Sequence, residues 1–523
     1  MGAVQPSWFD PAMPAREDCV LRHRLDCAAR DFPDRLLAQF EDGTTWTYAE
    51  ARAIAQSTAA GLRDRGVQRG DMVSVWLPNG PACMQAWFGI NYLGAVYAPI
   101  NTAYRGRLLE HVLKNTGARL MIAHPDLLPR LADIAMPPMI VAGPKDLAGE
   151  AFADTAPIEP WDIQSVIYTS GTTGPSKGVL QTYLQSWTTG QCSYGYMTDA
   201  DRMLINLPLF HVGGTSSVHA VLAAGASLAL FQNFSTARFW DDIRATGATT
   251  TCGLIGAMAD FLMKAPPRED DATNGLRMLT LAPVSRATMA FAARFGFDWL
   301  TGFNMTELSV PLVAVVNSTV EFGCGRPRSG IEARLVDAND IEVPRGKVGE
   351  LIVRSDLPWA ITPGYLNMPE ATARAWRNGW FHTGDGFRQD ADGNFYFVDR
   401  LKDTIRRRGE NISSIELEAE ITAHPAVLEA AAIGVPSPYG EEDILVAVVP
   451  RPGMTITPEA LIAFLMPRVA HFMVPRYLRI LDALPKTATN KTQKTELRAA
   501  GITTDSWDRE QAGIALRKET FVI

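Results

Sequence analysis

An alternation of apolar strand patterns with helix patterns constrains the fold of this chain most. Residues 71–77 form a short apolar run that ends at the turn Pro78-Asn79-Gly80, residues 83–93 have a helical pattern, and residues 94–100 return to a strand pattern. A strand, a helix and a strand at this spacing predict a βαβ unit with parallel strands. The same rhythm returns at residues 120–123 and across residues 204–257. We therefore predict an α/β fold with parallel-rich sheets.

The start of the chain contributes a second local prediction. Residues 1–45 have a helical pattern followed by strand material that ends at the turn Glu41-Asp42-Gly43. Thr47 and Glu50 are spaced as a capping box, in which each side chain accepts a hydrogen bond from the other residue's backbone N–H. A helix is expected to open there.

The length and charge of the chain limit its class. With 523 residues it is too long for one core, which favours a large domain and a smaller one. The net charge of -8 argues against a nucleic-acid partner. No secretory signal pattern or apolar run of membrane-spanning length is present, so we expect no integral membrane segment. The cysteines lack metal or CxxC spacing and predict reduced thiols in a cytoplasmic protein: Cys19, Cys27, Cys83, Cys192, Cys252 and Cys324.

A loop rich in glycine and hydroxyl groups follows the short apolar run 165–168. Glycines let successive backbone N–H groups turn toward one point, and such a nest of donors binds an anion. Lys177 adds a positive charge, but it is not placed as in a Walker motif. A mobile turn without function is the alternative. The composition favours a triphosphate-binding loop, whose glycines and hydroxyl residues are Gly171, Gly174, Gly178, Thr169, Ser170, Thr172, Thr173 and Ser176.

The segment Tyr168–Val179, YTSGTTGPSKGV, resembles the phosphate-loop signature of the adenylate-forming superfamily, which includes acyl-CoA synthetases, luciferases and peptide-synthetase adenylation domains. The resemblance implies a large N-terminal domain of layered α/β subdomains with a β-barrel-like part, and a small mobile α+β C-terminal domain. Residues 1–401 would form the AMP- and acyl-binding domain and residues 402–523 the lid, with the hinge at Lys402. Thr172 would act in catalysis and as a Mg²⁺ ligand, while the phosphates of ATP would be bound by Thr169, Ser170, Gly171, Thr173, Gly174 and Lys177.

Two later segments resemble the superfamily's adenine and metal motifs. Ala282 and Pro283 follow a predicted strand, at the sheet edge where open α/β sheets bind ligands, and would flank the adenine. Phe303 offers a ring face for a purine, and Asn304 stands where glycine is usual. Thr306 and Glu307 offer the hard oxygen ligands that Mg²⁺ prefers. Without the resemblance, a helix N-cap at Thr306 would be an equally good interpretation.

The sequence around Asp385 resembles the ribose-binding motif of the superfamily. A carboxylate that follows a glycine turn can accept hydrogen bonds from both ribose hydroxyls. The resemblance implies that Arg400 also holds the ribose, that Lys402 is the interdomain pivot, and that Gly409 lies in the loop facing the pantetheine arm of CoA.

The segment 484–494 resembles the catalytic segment of the lid and places the essential lysine at Lys491. Three lysines near the end of a chain would otherwise indicate only a solvated surface. Asn490 stands where glycine is usual, and Asn tolerates the left-handed conformation. Asn490 and the trailing Gln493-Lys494 resemble the branch containing crotonobetaine/carnitine–CoA ligases.

His211 follows Phe210 at a predicted helix start, where a lone histidine is usually only structural. The superfamily has an aromatic–His pair here that lines and gates the acyl pocket, so we interpret His211 as a site residue. The candidate pocket is apolar or aromatic, which suits a medium acyl, aryl or quaternary-ammonium acid; it comprises Phe210, His211, Val212, Leu254, Ala282, Trp187, Tyr194 and Tyr196.

The resemblance implies an AMP-forming acid–thiol ligase that uses ATP/AMP, Mg²⁺ and coenzyme A and acts on a small-molecule carboxylic acid. The acid would attack ATP to give an acyl-adenylate and pyrophosphate, and CoA would then displace AMP. An adenylation enzyme that loads a carrier protein in trans, a luciferase-type oxidase and a nucleotide-binding regulator without chemistry are the alternatives. A homodimer is left open.

Overall fold

The structure is a computed structural model of the chain. It describes residues 6–104, 106–132, 134, 140–150, 156–169, 176–400, 405–407, 410–412, 414–437, 442–469, 473–487, 491–514 and 516.

Helices occur throughout the described chain, with short 3₁₀ helices at Pro125–Leu131 and Pro144–Leu147. In chain order the α-helices are α1 (Arg16–Cys19), α2 (Leu21–Asp31), α3 (Tyr48–Asp64), α4 (Pro81–Leu93), α5 (Gly106–Thr116), α6 (Tyr183–Tyr194), α7 (Val212–Ala224), α8 (Phe239–Thr246), α9 (Gly256–Met263), α10 (Arg286–Phe295), α11 (Pro369–Ala375), α12 (Ser414–Thr422), α13 (Pro458–Leu465) and α14 (Lys494–Ala500).

The strands are numbered in the same way. Those before residue 320 are β1 (Leu36–Phe40), β2 (Thr45–Thr47), β3 (Met72–Trp76), β4 (Val96–Pro99), β5 (Leu120–Ala123), β6 (Ile140–Ala142), β7 (Ile163–Thr169), β8 (Lys177–Thr182), β9 (Arg202–Ile205), β10 (Ser227–Leu230), β11 (Thr250–Thr251), β12 (Leu254–Ile255), β13 (Met278–Ala282), β14 (Asp298–Leu300), β15 (Gly302–Phe303) and β16 (Leu312–Val313). Those after it are β17 (Arg326–Pro327), β18 (Ile331–Val336), β19 (Gly349–Ser355), β20 (Trp376–Arg377), β21 (Trp380–Gln389), β22 (Phe395–Arg400), β23 (Ile405–Arg407), β24 (Glu410–Ile412), β25 (Val427–Pro436), β26 (Glu442–Pro450), β27 (Tyr477–Ile480) and β28 (Trp507–Asp508).

The predicted βαβ unit is confirmed and lies in a six-stranded sheet with the order β6-β5-β3-β4-β7-β8. Strands β3 and β4 are parallel, with Met72 opposite Val96, and α4 connects them. Strand β8 alone runs antiparallel in this sheet, because a short loop returns the chain from β7. The candidate phosphate loop is therefore the connection of a hairpin at the edge of a parallel sheet.

A second sheet, β11-β9-β10-β1-β2, is joined to the first by the largest hydrophobic cluster, which also includes α2, α3, α4 and α7. The predicted capping box is present: Glu50 N donates to Thr47 Oγ1 at 3.2 Å, and Thr47 N donates to the Glu50 carboxylate at 2.7 Å. Parallel sheets flanked by helices thus form a layered α/β body, as predicted.

Antiparallel sheets build the part of the chain between residues 302 and 400. Strands β15-β16-β17 form one sheet, and β18-β19-β21 with β20 and β22 form another. Their hydrophobic cluster includes Val179 of β8. These sheets therefore pack against the hairpin formed by β7 and β8, which we call the phosphate hairpin. The predicted fold class is confirmed.

The C-terminal part contains the four-stranded sheet β25-β26-β27-β28 with α12 and α13. Its two hydrophobic clusters contain only residues from 405 onward. Strand β27 spans Tyr477–Ile480, and helix α13 ends at Leu465. The boundary at 401/402 and the hinge Lys402 lie outside the described residues and stay predictions. In the described part of the chain, no helix is long and apolar enough to span a bilayer.

Candidate active site

The phosphate hairpin is fixed where its two strands enter the loop. Thr169 pairs with Lys177 across β7 and β8, and Thr169 Oγ1 donates to the Lys177 carbonyl at 3.5 Å. The Ser176 hydroxyl donates to the Thr169 carbonyl. The loop is thus anchored at both ends, while the predicted ligands Ser170, Gly171, Thr172, Thr173 and Gly174 lie outside the described residues.

Glycine is required at Gly178 for packing. A Cβ there would lie 2.8 Å from Val166 Cγ1 and 3.1 Å from the Tyr168 ring. The Gly178 carbonyl accepts a hydrogen bond of 2.8 Å from Leu366 N, and Leu180 N donates to Gly364 O at 3.1 Å. Strand β8 is therefore held by the hairpin on one side and by the segment around Tyr365 on the other.

Lys177 and Glu307 both contact one tyrosine. Tyr365 Oη donates to Glu307 Oε1 at 2.8 Å, and Lys177 Nζ lies 4.5 Å from the centroid of the Tyr365 ring. Glu307 is 6% exposed and Tyr365 7%. The structure thus brings two predicted site residues together through a residue that the sequence did not indicate, because nothing in a Gly-Tyr pair far from either motif marks it as part of the site.

The turn that carries Glu307 is held from several directions. The amides of Gln181 and Gln185 both donate to the Thr306 carbonyl at 3.0 Å, and Thr362 N donates to the Glu307 carbonyl at 2.8 Å. The residues after Thr306 form turns and not a helix, so the alternative interpretation of Thr306 as a helix N-cap is wrong. Thr306 and Glu307 sit on a rigid loop.

A buried arginine fixes the end of the same loop. Arg328 is 1% exposed, and its guanidinium donates to the Ser309 and Val310 carbonyls at 3.1 Å and to Ser309 Oγ at 3.0 Å. The ring of Phe9 covers it, with 5.0 Å between the guanidinium carbon and the ring centroid. The thiol of the buried Cys192 also interacts with this guanidinium.

The predicted adenine residues lie at strand ends. Ala282 is the last residue of β13 and pairs with Ile255 of β12. The Phe303 ring lies edge-on to Phe387, with 4.9 Å between centroids, and 6.4 Å from the nearly parallel Phe397 ring. Asn304 Oδ1 accepts from Val310 N at 2.8 Å, so this side chain turns back onto its own loop.

Asp385 is presented by a tight turn within β21. Gly384 has φ +72°, a left-handed conformation that favours glycine. Gly384 N donates to Glu350 Oε1 at 3.0 Å, and Asp385 N donates to Thr383 Oγ1 at 3.1 Å. Asp385 pairs with Arg400 across β21 and β22, so the backbone brings the two predicted ribose residues side by side.

An ionic cluster supports this turn. Glu350 Oε2 lies 3.0 Å from Nδ1 of the buried His382 and 3.4 Å from the Arg377 guanidinium. Arg377 also pairs with Asp340 at 3.0 Å, and this guanidinium is the leading cause that lowers the pKa of the Asp340 carboxyl. Glu350 therefore connects the ionic cluster to the residue directly before Asp385.

His211 caps helix α7, with Nδ1 accepting from Gly213 N at 3.1 Å. Burial, and secondly the charge of Lys491, lower its pKa to about 4, so the imidazole is neutral at pH 7. The sequence Gly-Gly-x-Ser at Gly213–Ser216 contains a serine of the kind that carries the arm of a carrier protein. Ser216 is buried within α7, so it does not suit such an attachment.

The backbone of Lys491 is held by Thr487. Lys491 N donates to Thr487 Oγ1 at 3.0 Å, and Thr487 N donates to the Lys491 carbonyl at 2.7 Å. Lys486 pairs with Glu429 at 2.9 Å and Lys494 with Glu418 at 2.8 Å, both within the small domain. Lys491 itself is exposed. Lys402 and Gly409 lie outside the described residues.

Two of the candidate pocket residues differ in environment. Tyr194 Oη accepts from Gly253 N at 2.9 Å, next to β12 and β13. Tyr196 instead packs edge-on against Trp8 and donates to the Met278 carbonyl at 3.1 Å, which is a core environment. Tyr194 is also a buried member of the largest hydrophobic cluster, and Tyr196 packs against that cluster, so their assignment to the acyl pocket stays a prediction.

Comparison with known proteins gives the same fold and family. The family model for AMP-binding enzymes matches residues 25–366, and that for the AMP-binding enzyme C-terminal domain matches residues 416–491. The crotonobetaine/carnitine–CoA ligase of Citrobacter koseri is 31% identical, covering 91% of this chain and 98% of that protein. A feruloyl-CoA synthase of Amycolatopsis sp. is 32% identical, covering 87% and 94%.

Among solved structures, ATP-bound MatB from Rhodopseudomonas palustris superimposes with a TM-score of 0.80 at 27% identity, covering 91% of this chain and 98% of that one. The phosphate hairpin, the Glu307 turn and the Asp385 turn thus occur in a fold that is also found in an ATP-binding protein. The chain belongs to the AMP-binding enzyme family.

Proposed function

We propose that this AMP-forming acyl-CoA synthetase activates an apolar, aryl or quaternary-ammonium carboxylic acid with ATP and transfers the acyl group to CoA. The observation that carries the proposal is the group formed by Glu307, Tyr365 and Lys177 beside the hairpin of β7 and β8, in a chain that belongs to the AMP-binding enzyme family. This group supports a site in which a buried carboxylate and an ammonium meet the phosphates of ATP.

In the first step a carboxylate oxygen attacks the α-phosphorus of ATP, the bond to the bridging oxygen breaks, and pyrophosphate leaves. No general base is needed, because the acid is already ionised at neutral pH. Two anions must approach each other, so the site has to supply positive charge at the reacting phosphorus. We assign this role to Lys491. Lys177 and the hairpin loop would bind the phosphates.

Glu307, with Thr172, would hold Mg²⁺. The donors fit this ion: a buried carboxylate is a hard oxygen ligand, and Mg²⁺ in nucleotide sites takes one or two carboxylates and otherwise phosphate oxygens and water. Within the described ranges no group of three His, Cys, Asp or Glu side chains could form an all-protein metal site. When bound, the ion would neutralise charge on the phosphates.

The nucleoside would be held by residues of β13, of β15 and of the turn that carries Asp385. Asp385 and Arg400 would take the ribose hydroxyls, while Phe303, Asn304, Ala282 and Pro283 would line the adenine. Asp385 is 4% exposed on a turn fixed by Glu350, so its carboxylate is positioned before the ribose arrives.

In the second step the CoA sulfur attacks the acyl carbonyl and AMP leaves with the bonding electrons. Lys491 must withdraw to admit the thiol, so we propose that the lid, residues 402–523, turns about Lys402 and presents Gly409 to the pantetheine arm.

The acid is the part of the proposal that depends most on the relatives. A neutral His211 adds no charge to the pocket, which suits an uncharged acyl chain, an aryl ring or a betaine. Relatives named crotonobetaine/carnitine–CoA ligase and feruloyl-CoA synthase support the last two classes.

A panel of carboxylic acids with ATP, Mg²⁺ and hydroxylamine tests the proposal, because hydroxylamine traps an acyl-adenylate as a hydroxamate. Betaine and aryl acids should give hydroxamate together with AMP and pyrophosphate. The best acid should then form a thioester with CoA and not with a carrier protein. ATP cleavage to ADP, or no acid dependence across the panel, would refute the proposed reaction.

A further inference from the structure

The backbone of Tyr365 is fixed to strand β8. It forms a β-bridge with Val179, and the flanking Gly364 and Leu366 exchange hydrogen bonds with Leu180 and Gly178 of β8. Tyr365 N also donates to Thr372 Oγ1 at 2.9 Å. With its backbone anchored and only 7% of the residue exposed, the ring has little freedom to move.

The two ends of this side chain meet different parts of the site. The ring face carries the Lys177 ammonium at 4.5 Å, within the range of a cation–π contact. The hydroxyl donates to Glu307 Oε1 at 2.8 Å. A rigid ring thus sets the position of the phosphate-loop lysine relative to the carboxylate.

A carboxylate has about four acceptor sites on its two oxygens, so the donor at Oε1 of Glu307 can fix the rotation of the carboxylate and does not by itself prevent it from binding a cation. Hydrogen-bond partners of metal ligands commonly hold the ligand in the orientation that the ion requires. We propose that Tyr365 is a positioning residue that orients Glu307 toward the metal of the metal–nucleotide complex while holding Lys177 beside the phosphates. The inference rests on the metal role proposed above for Glu307.

Tyr365→Phe separates the two contacts, because it keeps the ring for Lys177 and removes only the hydroxyl. Loss of such a partner typically weakens metal affinity about 10- to 100-fold. Tyr365→Leu removes the ring as well, and loss of the cation–π contact should weaken nucleotide binding by a further factor of about 2 to 5. The change in half-saturating Mg²⁺ should exceed the change in kcat.

Metal affinity can be measured without turnover. Mn²⁺ is titrated by electron paramagnetic resonance into the full-length protein saturated with α,β-methylene-ATP, whose α–β bridge cannot be cleaved. Tyr396→Phe is the matched control, since Tyr396 Oη donates to Asp390 Oδ2 at the same 2.8 Å on another sheet. Glu307→Gln reports whether Glu307 binds the metal.

The proposal expects weaker Mn²⁺ binding in Tyr365→Phe and in Glu307→Gln, and wild-type binding in Tyr396→Phe. Wild-type binding by Tyr365→Phe with weak binding by Glu307→Gln would overturn the role of Tyr365 and leave the proposed function standing. Wild-type binding by both would overturn the metal role of Glu307 as well. A loss equal in Tyr396→Phe would show that the effect is not specific to this contact and would overturn the inference.

Discussion

Replacing His219 by leucine should make the stability of the protein less sensitive to acid. His219 lies on α7, is 3% exposed, and meets the edge of the Trp87 ring at 5.8 Å between centroids. Its Nε2 has no hydrogen-bond partner among the described residues. Burial lowers its pKa from 6.5 to about 4, because the charged form would lose its hydration.

The sign follows from which state binds the proton more tightly. The unfolded chain takes up a proton near pH 6.5 and the folded chain only near pH 4, so acidification between these values favours unfolding. Each pH unit between the two pKa values lowers the free energy of unfolding by about 1.4 kcal/mol. This one group should therefore lower the free energy of unfolding by about 2 kcal/mol when the pH falls from about 7 to about 5. In His219→Leu this contribution is absent.

The assay is urea unfolding of both proteins, followed by tryptophan fluorescence near pH 7 and near pH 5. The leucine variant should lose about 2 kcal/mol less than the wild type over this interval. His124→Leu serves as the control, because the side chain of His124 is 39% exposed. Equal losses in the wild type and His219→Leu would refute the argument that this imidazole is held neutral by burial.

Three further predictions concern the reaction. Lys491→Ala should abolish acid-dependent ATP–pyrophosphate exchange and still form thioester from a supplied acyl-adenylate; full exchange in this variant would contradict the role of Lys491. Gly409→Leu should lose only the thiol step; if its exchange were slowed as much as its thiol step, the role of Gly409 would be contradicted. Glu350→Gln removes a charge that fixes Gly384 N and His382, and should raise the KM for ATP about tenfold, the effect of one hydrogen bond to a charged group. Glu332→Gln on the neighbouring strand, which pairs with Arg354 at the surface, should leave that KM unchanged.

Local patterns predicted much of the fold. The strand at Leu120–Ala123 has the predicted bounds, and Thr47 and Glu50 form the predicted capping box, because both signals depend only on neighbouring residues. The family resemblance, the fold class and the acid–thiol ligase reaction, which were predicted from motifs in order along the chain, are confirmed by the matching family models and relatives. The domain boundary, the individual site residues, the homodimer and the cytoplasmic location stay predictions.

Contacts between distant segments could not be predicted in this way. The role of Tyr365 depends on its placement beside Lys177 and Glu307, which lie far from it along the chain. These side chains are brought together by tertiary packing, which leaves no periodic pattern in a single sequence. The short antiparallel pair of β23 (Ile405–Arg407) and β24 (Glu410–Ile412), which follows the predicted hinge Lys402, was likewise not predicted.

The aromatic cover on Arg328 has a practical consequence for handling this protein. Phe9 is 2% exposed, so a residue near the first position of the sequence shields a charge that braces the loop carrying Glu307. Water that reached this point would compete for the guanidinium of Arg328 and weaken its hydrogen bonds to the Ser309 and Val310 carbonyls. An affinity tag or a protease cut that displaces Phe9 would then disturb the loop that carries Glu307, about 300 residues further along the chain.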